Sequence, residues 1–328
     1  MAPPKIAITT GDPAGIGPEV CIKLLENTEN FELYEPIIFG DSSVLEKTAD
    51  QYNIPIQVKT VTRLEEAEGP RILNMRAIGA EEYTTGRISA KTGKAAYQYL
   101  TRAMDAALEG QVDAITTGPI NKEALKLAGI ELPGHTEILA ERTQSPRSCM
   151  MQYSDELCCS FVTCHIGYQE VPSLLTKERI LEVIELSDTT LGKMLGRPPM
   201  LLCCGLNPHS GENGLFGNME EEKIILPAVE EAKANGIRIE GPLPPDTVFL
   251  PDRRKMYDCM ICMYHDQGHI PLKALAFDRA VNVTLGLPII RTSVDHGTAL
   301  DIAGQGIANP GSMLEAAKLA AKLAQNET

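Results

Sequence analysis

Short, continuously apolar runs alternate with helical patterns along the chain, and this alternation restricts the fold more than any other feature. Runs rich in Ile, Val, Leu and Cys occupy 5–10, 37–40, 114–117, 157–165, 200–206, 259–264 and 281–285. Between several of them apolar residues recur with a 3.6-residue period, as at Ala95, Ala96, Tyr99, Leu100, Ala103, Met104 and Ala107, and again through 177–195, 220–234 and 312–324. Gly110, Pro198 and Gly236 stand just beyond three of these patterns, where helices stop. A strand that is apolar throughout has both faces buried, so the sheet is mainly parallel and carries helices on each side. The fold class is therefore α/β, and 328 residues suggest about two domains.

A formal net charge of -14 excludes a nucleic-acid backbone as partner, because such binding depends on lysines and arginines releasing counterions. No apolar run approaches the ~18 residues of a membrane span. The start, MAPPKIAITTGDP, lacks the apolar core of an export signal, so a cytoplasmic location is expected. The nine cysteines are odd in number and mostly embedded in apolar runs, which reads as reduced core thiols. Cys259-x-x-Cys262 is the one pair with zinc-knuckle spacing, but residues three apart on a strand face opposite ways.

Ligands of open α/β sheets bind outside the carboxyl ends of the strands. Five segments leave such ends: 8–19, 115–123, 162–170, 204–214 and 263–269. His165, His209 and His265 lie in three of them. Imidazoles projecting from neighbouring strand ends can converge on one divalent ion and leave an open position, as catalytic rather than structural sites do. Zinc and cobalt suit such ligands better than magnesium. Any one of these histidines alone would more simply be a surface or capping residue. His269 has helical i, i+4 spacing from His265, but Gly268 and Pro271 argue against a helix there, which leaves it a supporting or structural role. Asp246 and Asp266 are candidates for orienting an imidazole or relaying a proton, and equally for capping turns.

Lys273, Asn282 and Arg291 interrupt otherwise apolar or turn sequence, as anion-holding groups in a dry site do. GHTE places His135 and Thr136 at the start of a helical pattern, where free backbone N–H groups favour negative charge. GDPAGIGPE tempts a dinucleotide reading with Asp41 as the ribose acid. Its glycines do not make G-x-G-x-x-G, however, and no Gly-Lys-Ser/Thr follows. A tight strand-to-helix turn near the site is the better reading. No G-x-S-x-G elbow is present.

GDPAGIGPE, GHTE, GLNPHSGENG, GPLPPDT, YHDQGHIPLK and VNVTLGLPIIRTSVDHGTALDIAG, together with the three histidines, resemble the 4-hydroxythreonine-4-phosphate dehydrogenase family and its 4-phospho-D-threonate and D-erythronate relatives. The resemblance runs from Ile6 to about Ala320. It implies a fold like isocitrate and isopropylmalate dehydrogenases: two α/β/α domains with a cleft between them, 1–125 plus 295–328 and 126–294. It implies a homodimer with a shared active site, with His165, His209 and His265 on a divalent metal (zinc, cobalt or magnesium). His135, Thr136, Lys273, Asn282 and Arg291 would hold a small phosphorylated substrate. His296 to Ser312 resembles the adenosine-binding loop of β-decarboxylating dehydrogenases, which would place His296, Gly297, Thr298, Asp301 and Asn309 on NAD. Leu300 stands where those relatives carry proline. An acid at Asp301 favours NAD over NADP.

The resemblance further implies oxidation at C3 of a four-carbon acid 4-phosphate with decarboxylation, Lys273 and Asp246 serving the chemistry. The product would be dihydroxyacetone phosphate, or 3-amino-2-oxopropyl phosphate from 4-hydroxythreonine 4-phosphate. YHDQGHIPLK and GENGLFG resemble the phospho-threonate branch more than the vitamin B6 branch. The rival readings are a phosphate-dependent acyltransferase on the same fold and a non-catalytic metal- or phosphate-binding protein.

Overall fold

The computed structural model of the protein describes residues 2–132, 134–276 and 279–326. The chain divides into two compact units, residues 1–146 with 287–328, and residues 147–286. In chain order the first unit contributes β1 (Lys5–Thr9), α1 (Gly17–Glu26), β2 (Glu35–Gly40), α2 (Ser42–Tyr52), β3 (Lys59–Val61), β4 (Arg71–Asn74), α3 (Ala90–Leu108), β5 (Ala114–Thr117), α4 (Lys122–Leu127) and α5 (His135–Thr143). The second contributes β6 (Cys149–Tyr153), β7 (Cys158–Phe161), α6 (Val171–Leu174), α7 (Lys177–Leu195), β8 (Leu201–Cys204), α8 (Leu226–Ala234), β9 (Ile239–Leu243), α9 (Pro245–Val248), α10 (Pro251–Arg254), β10 (Cys259–Cys262), α11 (His265–Ala276) and β11 (Val281–Leu285). The chain then returns to the first unit with β12 (Ile290–Val294) and α12 (Gly311–Gln325). The unit boundaries fall at 146/147 and 286/287, against 125/126 and 294/295 read from the sequence, so α5 and β12 both lie in the first unit.

In the first unit the strand order is β3-β4-β2-β1-β5-β12 and every pairing is parallel. The period-2 alternation of a strand explains why β1 is apolar from Ile6 to Ile8. Ile6 and Ile8 join a core with Val20, Leu24, Met313 and Ala317 on one face, and Ala7 joins Leu100, Met104 and Ile115 on the other. Each such side chain contributes roughly 1.5–3 kcal/mol by leaving water.

In the second unit the order is β11-β6-β7-β10-β8-β9, with β6 antiparallel to both neighbours and the remaining pairs parallel. All nine cysteines are free thiols. Cys259 lies 3.5 Å from Ser160 Oγ, while Cys262 packs on the opposite face with Cys159, Cys204 and Phe161. The Cys-x-x-Cys pair is therefore divided by the sheet.

One local expectation is corrected. Residues 265–276 form α11 despite Gly268 and Pro271. A Cβ on Gly268 would stand 2.8 Å from Phe161 Cε1 and 2.9 Å from Cys262 Sγ, so the glycine lets the helix settle directly on β7 and β10. Packing here outweighs the propensity penalty of about 1 kcal/mol for glycine and about 3 for proline. Among the described residues no helix is long and apolar enough to cross a membrane.

Candidate active site

His165 and His265 are brought together by adjacent parallel strands. β7 and β10 pair in register, and beyond their ends Val162 N–H donates to Cys262 O at 2.9 Å while Thr163 Oγ1 donates to Met263 O at 2.7 Å. The two chains thus leave the sheet side by side, and the imidazole centroids of His165 and His265 lie 5.6 Å apart. Both rings line a cavity of about 220 Å³ with Thr163, Cys164, Tyr168 and Tyr264. His265 Nδ1 is 2.7 Å from Asp266 Oδ1, which assigns the proton to Nδ1 and leaves Nε2 as the donor atom. The orienting role considered for Asp266 is thus the one its geometry supports. Burial pushes the neighbouring Cys164 thiol up to about 12.

The spacing of these two rings fits one ion. A metal–nitrogen bond of about 2.1 Å puts each ring centroid about 3.2 Å from the metal, and a tetrahedral opening then separates two centroids by about 5.2 Å. His269 is not a third donor: its ring stacks on His265 at 3.7 Å and 10°, and on Phe161 at 4.5 Å, with Nδ1 3.0 Å from His265 O. It stiffens the first turn of α11. His209 sits elsewhere, in the loop after β8, its ring 6.0 Å from Phe216. Among the described residues no three His, Cys, Asp or Glu side chains are placed to hold a metal, so a single chain assembles two of the three expected imidazoles. The His209 loop is unusual in itself. His209, Ser210, Glu212 and Asn213 have φ of 53°, 54°, 44° and 56°. A left-handed conformation costs about 1–2 kcal/mol per residue, and such strain gathers at functional positions.

The first unit holds a buried positive seat. Arg291, on β12 beside Ile115 of β5, is 3% exposed, and its Nη2 donates to Thr117 Oγ1 at 2.8 Å. Burial pulls the guanidinium down to about 9. His135 opens α5; its ring bonds to the Gly118 backbone, while Nε2 is enclosed and has no partner. Burial first, then the charge of Arg291 and that of Lys122, hold this imidazole well below 6.5. Thr136 follows at the exposed helix start, where backbone N–H groups are free for an anion. Arg291 and Lys122 thus concentrate positive charge around the His135 ring.

A pH dependence follows. A histidine that is neutral when folded and ordinary when unfolded takes up protons preferentially in the unfolded state below pH 6.5, so stability is lost as pH falls through that value. At pH 5 the contribution is about 2 kcal/mol. His135→Gln is expected to flatten the acid limb of a melting-temperature profile by that amount, and an unchanged limb would overturn the assignment.

The remaining candidates are less enclosed. Asn282 on β11 is half-buried, with Nδ2 3.3 Å from Met150 Sδ and Oδ1 enclosed and unpartnered, an acceptor available to a hydroxyl or ammonium donor. Lys273 projects from α11 and Asp246 from the first turn of α9, both exposed.

The 296–309 loop is firmly seated within the first unit. Lys23 Nζ donates to Gly306 O at 2.9 Å and Ala308 O at 2.7 Å, Ala308 N–H to Glu19 Oε1 at 2.8 Å, and Gln51 Nε2 to Gly304 O at 2.7 Å. Ile16 N–H donates to Thr298 O at 3.0 Å, and a Cβ on Gly15 would stand 2.7 Å from the same oxygen. The GDPAGIG turn therefore buttresses this loop and is not itself a dinucleotide fingerprint. Asp41 is structural: it accepts from Tyr99 Oη at 2.5 Å and from Ala77 and Ile78 N–H. Gly297, Asp301 and Asn309 face solvent, Thr298 is buried, and His296 keeps Nε2 enclosed without a partner.

Residues 32–320 match the family described as pyridoxal phosphate biosynthetic protein PdxA. The chain belongs to the PdxA family. An Oceanobacillus iheyensis member, provisionally named a D-threonate 4-phosphate dehydrogenase, is 46% identical over 98% of both chains. The 4-hydroxythreonine-4-phosphate dehydrogenase of Desulforapulum autotrophicum is 44% identical over 97% of this chain and 95% of its own. The crystal structure of 4-hydroxythreonine-4-phosphate dehydrogenase from Klebsiella pneumoniae superposes with a TM-score of 0.89 at 42% identity, covering 98% of this chain and 100% of that one. This PdxA-family chain is an oxidoreductase, which disposes of the acyltransferase and non-catalytic readings.

One residue of the positive seat escapes sequence reasoning. Lys122 belongs to ITTGPINKE, a segment recognisable as leaving a strand end, but a lysine in the first turn of a short helix reads as ordinary solvent-facing charge. Its closeness to Gly134, whose added Cβ would lie 3.6 Å from Lys122 Cε, depends on how α4 and α5 pack.

Proposed function

We propose that this PdxA-family enzyme oxidises the C3 hydroxyl of a four-carbon acid 4-phosphate with NAD and releases the carboxylate as carbon dioxide. 4-Phospho-D-threonate or D-erythronate is the favoured substrate, giving dihydroxyacetone phosphate; the second reading, favoured by the Desulforapulum relative's name, is 4-hydroxythreonine 4-phosphate, giving 3-amino-2-oxopropyl phosphate. The observation that carries the reading is the enclosed pair of His135 and Arg291, with the exposed Lys122 adding positive charge beside them, which suits a phosphate dianion in an otherwise acidic protein.

His135 would meet the phosphate through its enclosed Nε2, Arg291 through its planar fork, and Thr136 through its hydroxyl and backbone N–H. Asn282 would accept a hydrogen bond from a substrate donor, Lys273 would neutralise the carboxylate, and Asp246 would relay the hydroxyl proton. His165 and His265 would hold a divalent ion with zinc or cobalt chemistry, and His209 of a second copy of the chain would complete the set. When bound, that ion supplies Lewis-acid polarisation of the hydroxyl. Thr298, Asp301 and Asn309, with His296 and Gly297, would hold NAD, the Asp301 carboxylate accepting from the ribose 2'-hydroxyl and repelling a 2'-phosphate.

The pairing of two copies has support on the second unit. Ile166, Tyr168 and Leu174 after His165, Leu215 and Phe216 after His209, and Ile270 on α11 are all exposed, Tyr168 by 72% and Leu215 by 69%. Apolar groups concentrated around three histidines suit burial against a partner. The reduced thiols suit the cytoplasm.

Reduced-nicotinamide absorbance followed with 4-phospho-D-threonate, 4-phospho-D-erythronate and 4-hydroxythreonine 4-phosphate in turn tests the reading. The first two are expected to turn over with the higher kcat/KM. Silence with all three, in the presence of zinc or cobalt, would refute it.

A further inference from the structure

The loop that carries His209 is shaped from behind by one buried carboxylate. Residues 209–214 run through left-handed backbone, with φ from 44° at Glu212 to 83° at Gly214. The run turns on itself through Glu212 N–H to His209 O at 3.3 Å and Gly214 N–H to Gly211 O at 3.0 Å, and contacts from outside fix where this strained turn sits. Glu221, in the single π-turn Glu221–Ile225 ahead of α8, is 2% exposed. Its Oε1 accepts from Leu206 N–H at 2.8 Å and Asn207 N–H at 2.7 Å, and its Oε2 accepts from Asn207 Nδ2 at 3.0 Å. On the far side of His209, a Cβ on Gly211 would stand 2.7 Å from the same Oε2, so the loop closes over the carboxylate before and after the histidine. Glu220 fixes the exit, accepting from Asn218 N–H at 2.7 Å and Asn207 Nδ2 at 2.9 Å.

The geometry points to Glu221 as a positioning residue that presents His209 to a divalent ion without touching the ion itself. This rests on the reading of His209 as a metal ligand. The chemistry specifies a carboxylate: three N–H donors converge on it, and both its oxygens accept. In a glutamine the amino group set at Oε2 meets the Asn207 amide donor against donor, so the segment entering His209 is displaced even where the remaining oxygen keeps the Leu206 and Asn207 N–H bonds. Groups that orient metal-binding imidazoles influence affinity strongly even when remote from the metal.

The test titrates the full-length protein with Co²⁺ alone, reading visible absorption beside melting temperature, for wild type, Glu221→Gln, Asn207→Ala and His209→Ala. Glu221→Gln is expected to weaken Co²⁺ binding by about 10–100-fold and to alter the absorption band, with turnover recovered at high Co²⁺ and KM for NAD unchanged. Asn207→Ala, which keeps the carboxylate and its two backbone bonds, is expected to weaken binding in the same direction by about 3–10-fold. Wild-type affinity and spectrum in both variants, with binding lost in His209→Ala, would show the carboxylate to be merely structural and overturn the proposal whatever the melting temperatures. If Glu221→Gln does not fold, Asn207→Ala decides by the same criterion. Wild-type Co²⁺ binding by His209→Ala would instead remove the metal role of His209 and this proposal with it.

Discussion

Arg291→Met is expected to lower kcat/KM for a 4-phosphate substrate by about 10³-fold while leaving the chain at least as heat-resistant as wild type. The two effects have one cause. Removing one partner of a buried, hydrogen-bonded charge pair costs about 2–5 kcal/mol of binding, and each 1.4 kcal/mol is about tenfold. In the absence of an anion the same cation is a burden: burial pulls its pKa from 12.5 to about 9, a penalty on the order of several kcal/mol at about 1.4 per unit. Methionine fills the space without that penalty, which is set against the polar contacts of the guanidinium, the bond to Thr117 among them. Arg291→Lys keeps the charge but not the planar fork and should fall between the two. Kinetics together with melting curves in and out of inorganic phosphate check the pair of effects. A variant that still gains stability from phosphate as wild type does would show that the anion binds elsewhere.

Co-expressed His165→Ala and His209→Ala chains are expected to recover about a quarter of wild-type activity, although each variant alone should fall by about 10³-fold. If His165 and His265 of one copy share an ion with His209 of another, a mixed dimer has one site carrying both lesions and one carrying neither. Random pairing makes about half the dimers mixed, each with one working site in two. Were all three ligands drawn from one chain, every site would retain a lesion and mixing would restore nothing. The assay separates these arrangements without requiring a structure of the complex.

The second unit shows which parts of this architecture were legible before any coordinates. Each apolar run became a strand, because a strand buried on both faces leaves an unbroken trace in the sequence. β3, β4, β6, β9 and β12 left none. β3 has two exposed residues of three, β9 is only partly buried, and β12 carries Arg291, Thr292 and Ser293 inward. Polarity in β12 serves a hydrogen-bonded interior, Arg291 on Thr117 and Thr292 on Thr116, so it reads as loop. The α11 helix was hidden by Gly268 and Pro271, and the reason for the glycine appears only once Phe161 and Cys262 are seen beneath it.

The site was legible to a different depth. Strand-end histidines could be singled out because a tightly bounded strand leaves few positions for them, and two of the three do meet. The resemblance implied a site shared between two chains, but spacing along one chain did not say which imidazoles meet within it; in this structure His165 and His265 do, and no three such side chains gather among the described residues. Lys122 and Glu221 were invisible for a related reason: each looks like an ordinary charged residue near a helix start, and only tertiary packing turns the first toward His135 and the second beneath His209.

The discontinuous make-up of the first unit has a consequence for biogenesis. β12 completes the order β3-β4-β2-β1-β5-β12, and α12 packs on β1, β5 and β12. As a ribosome delivers the chain, residues 147–286 are all available to collapse while the earlier unit still lacks a strand and a covering helix. The apolar residues Ile6, Ile8 and Ala114 thus await Met313, Ala317 and Ala320, which follow the whole of the second unit along the chain. A nascent chain halted before β12 would present that bare surface to chaperones.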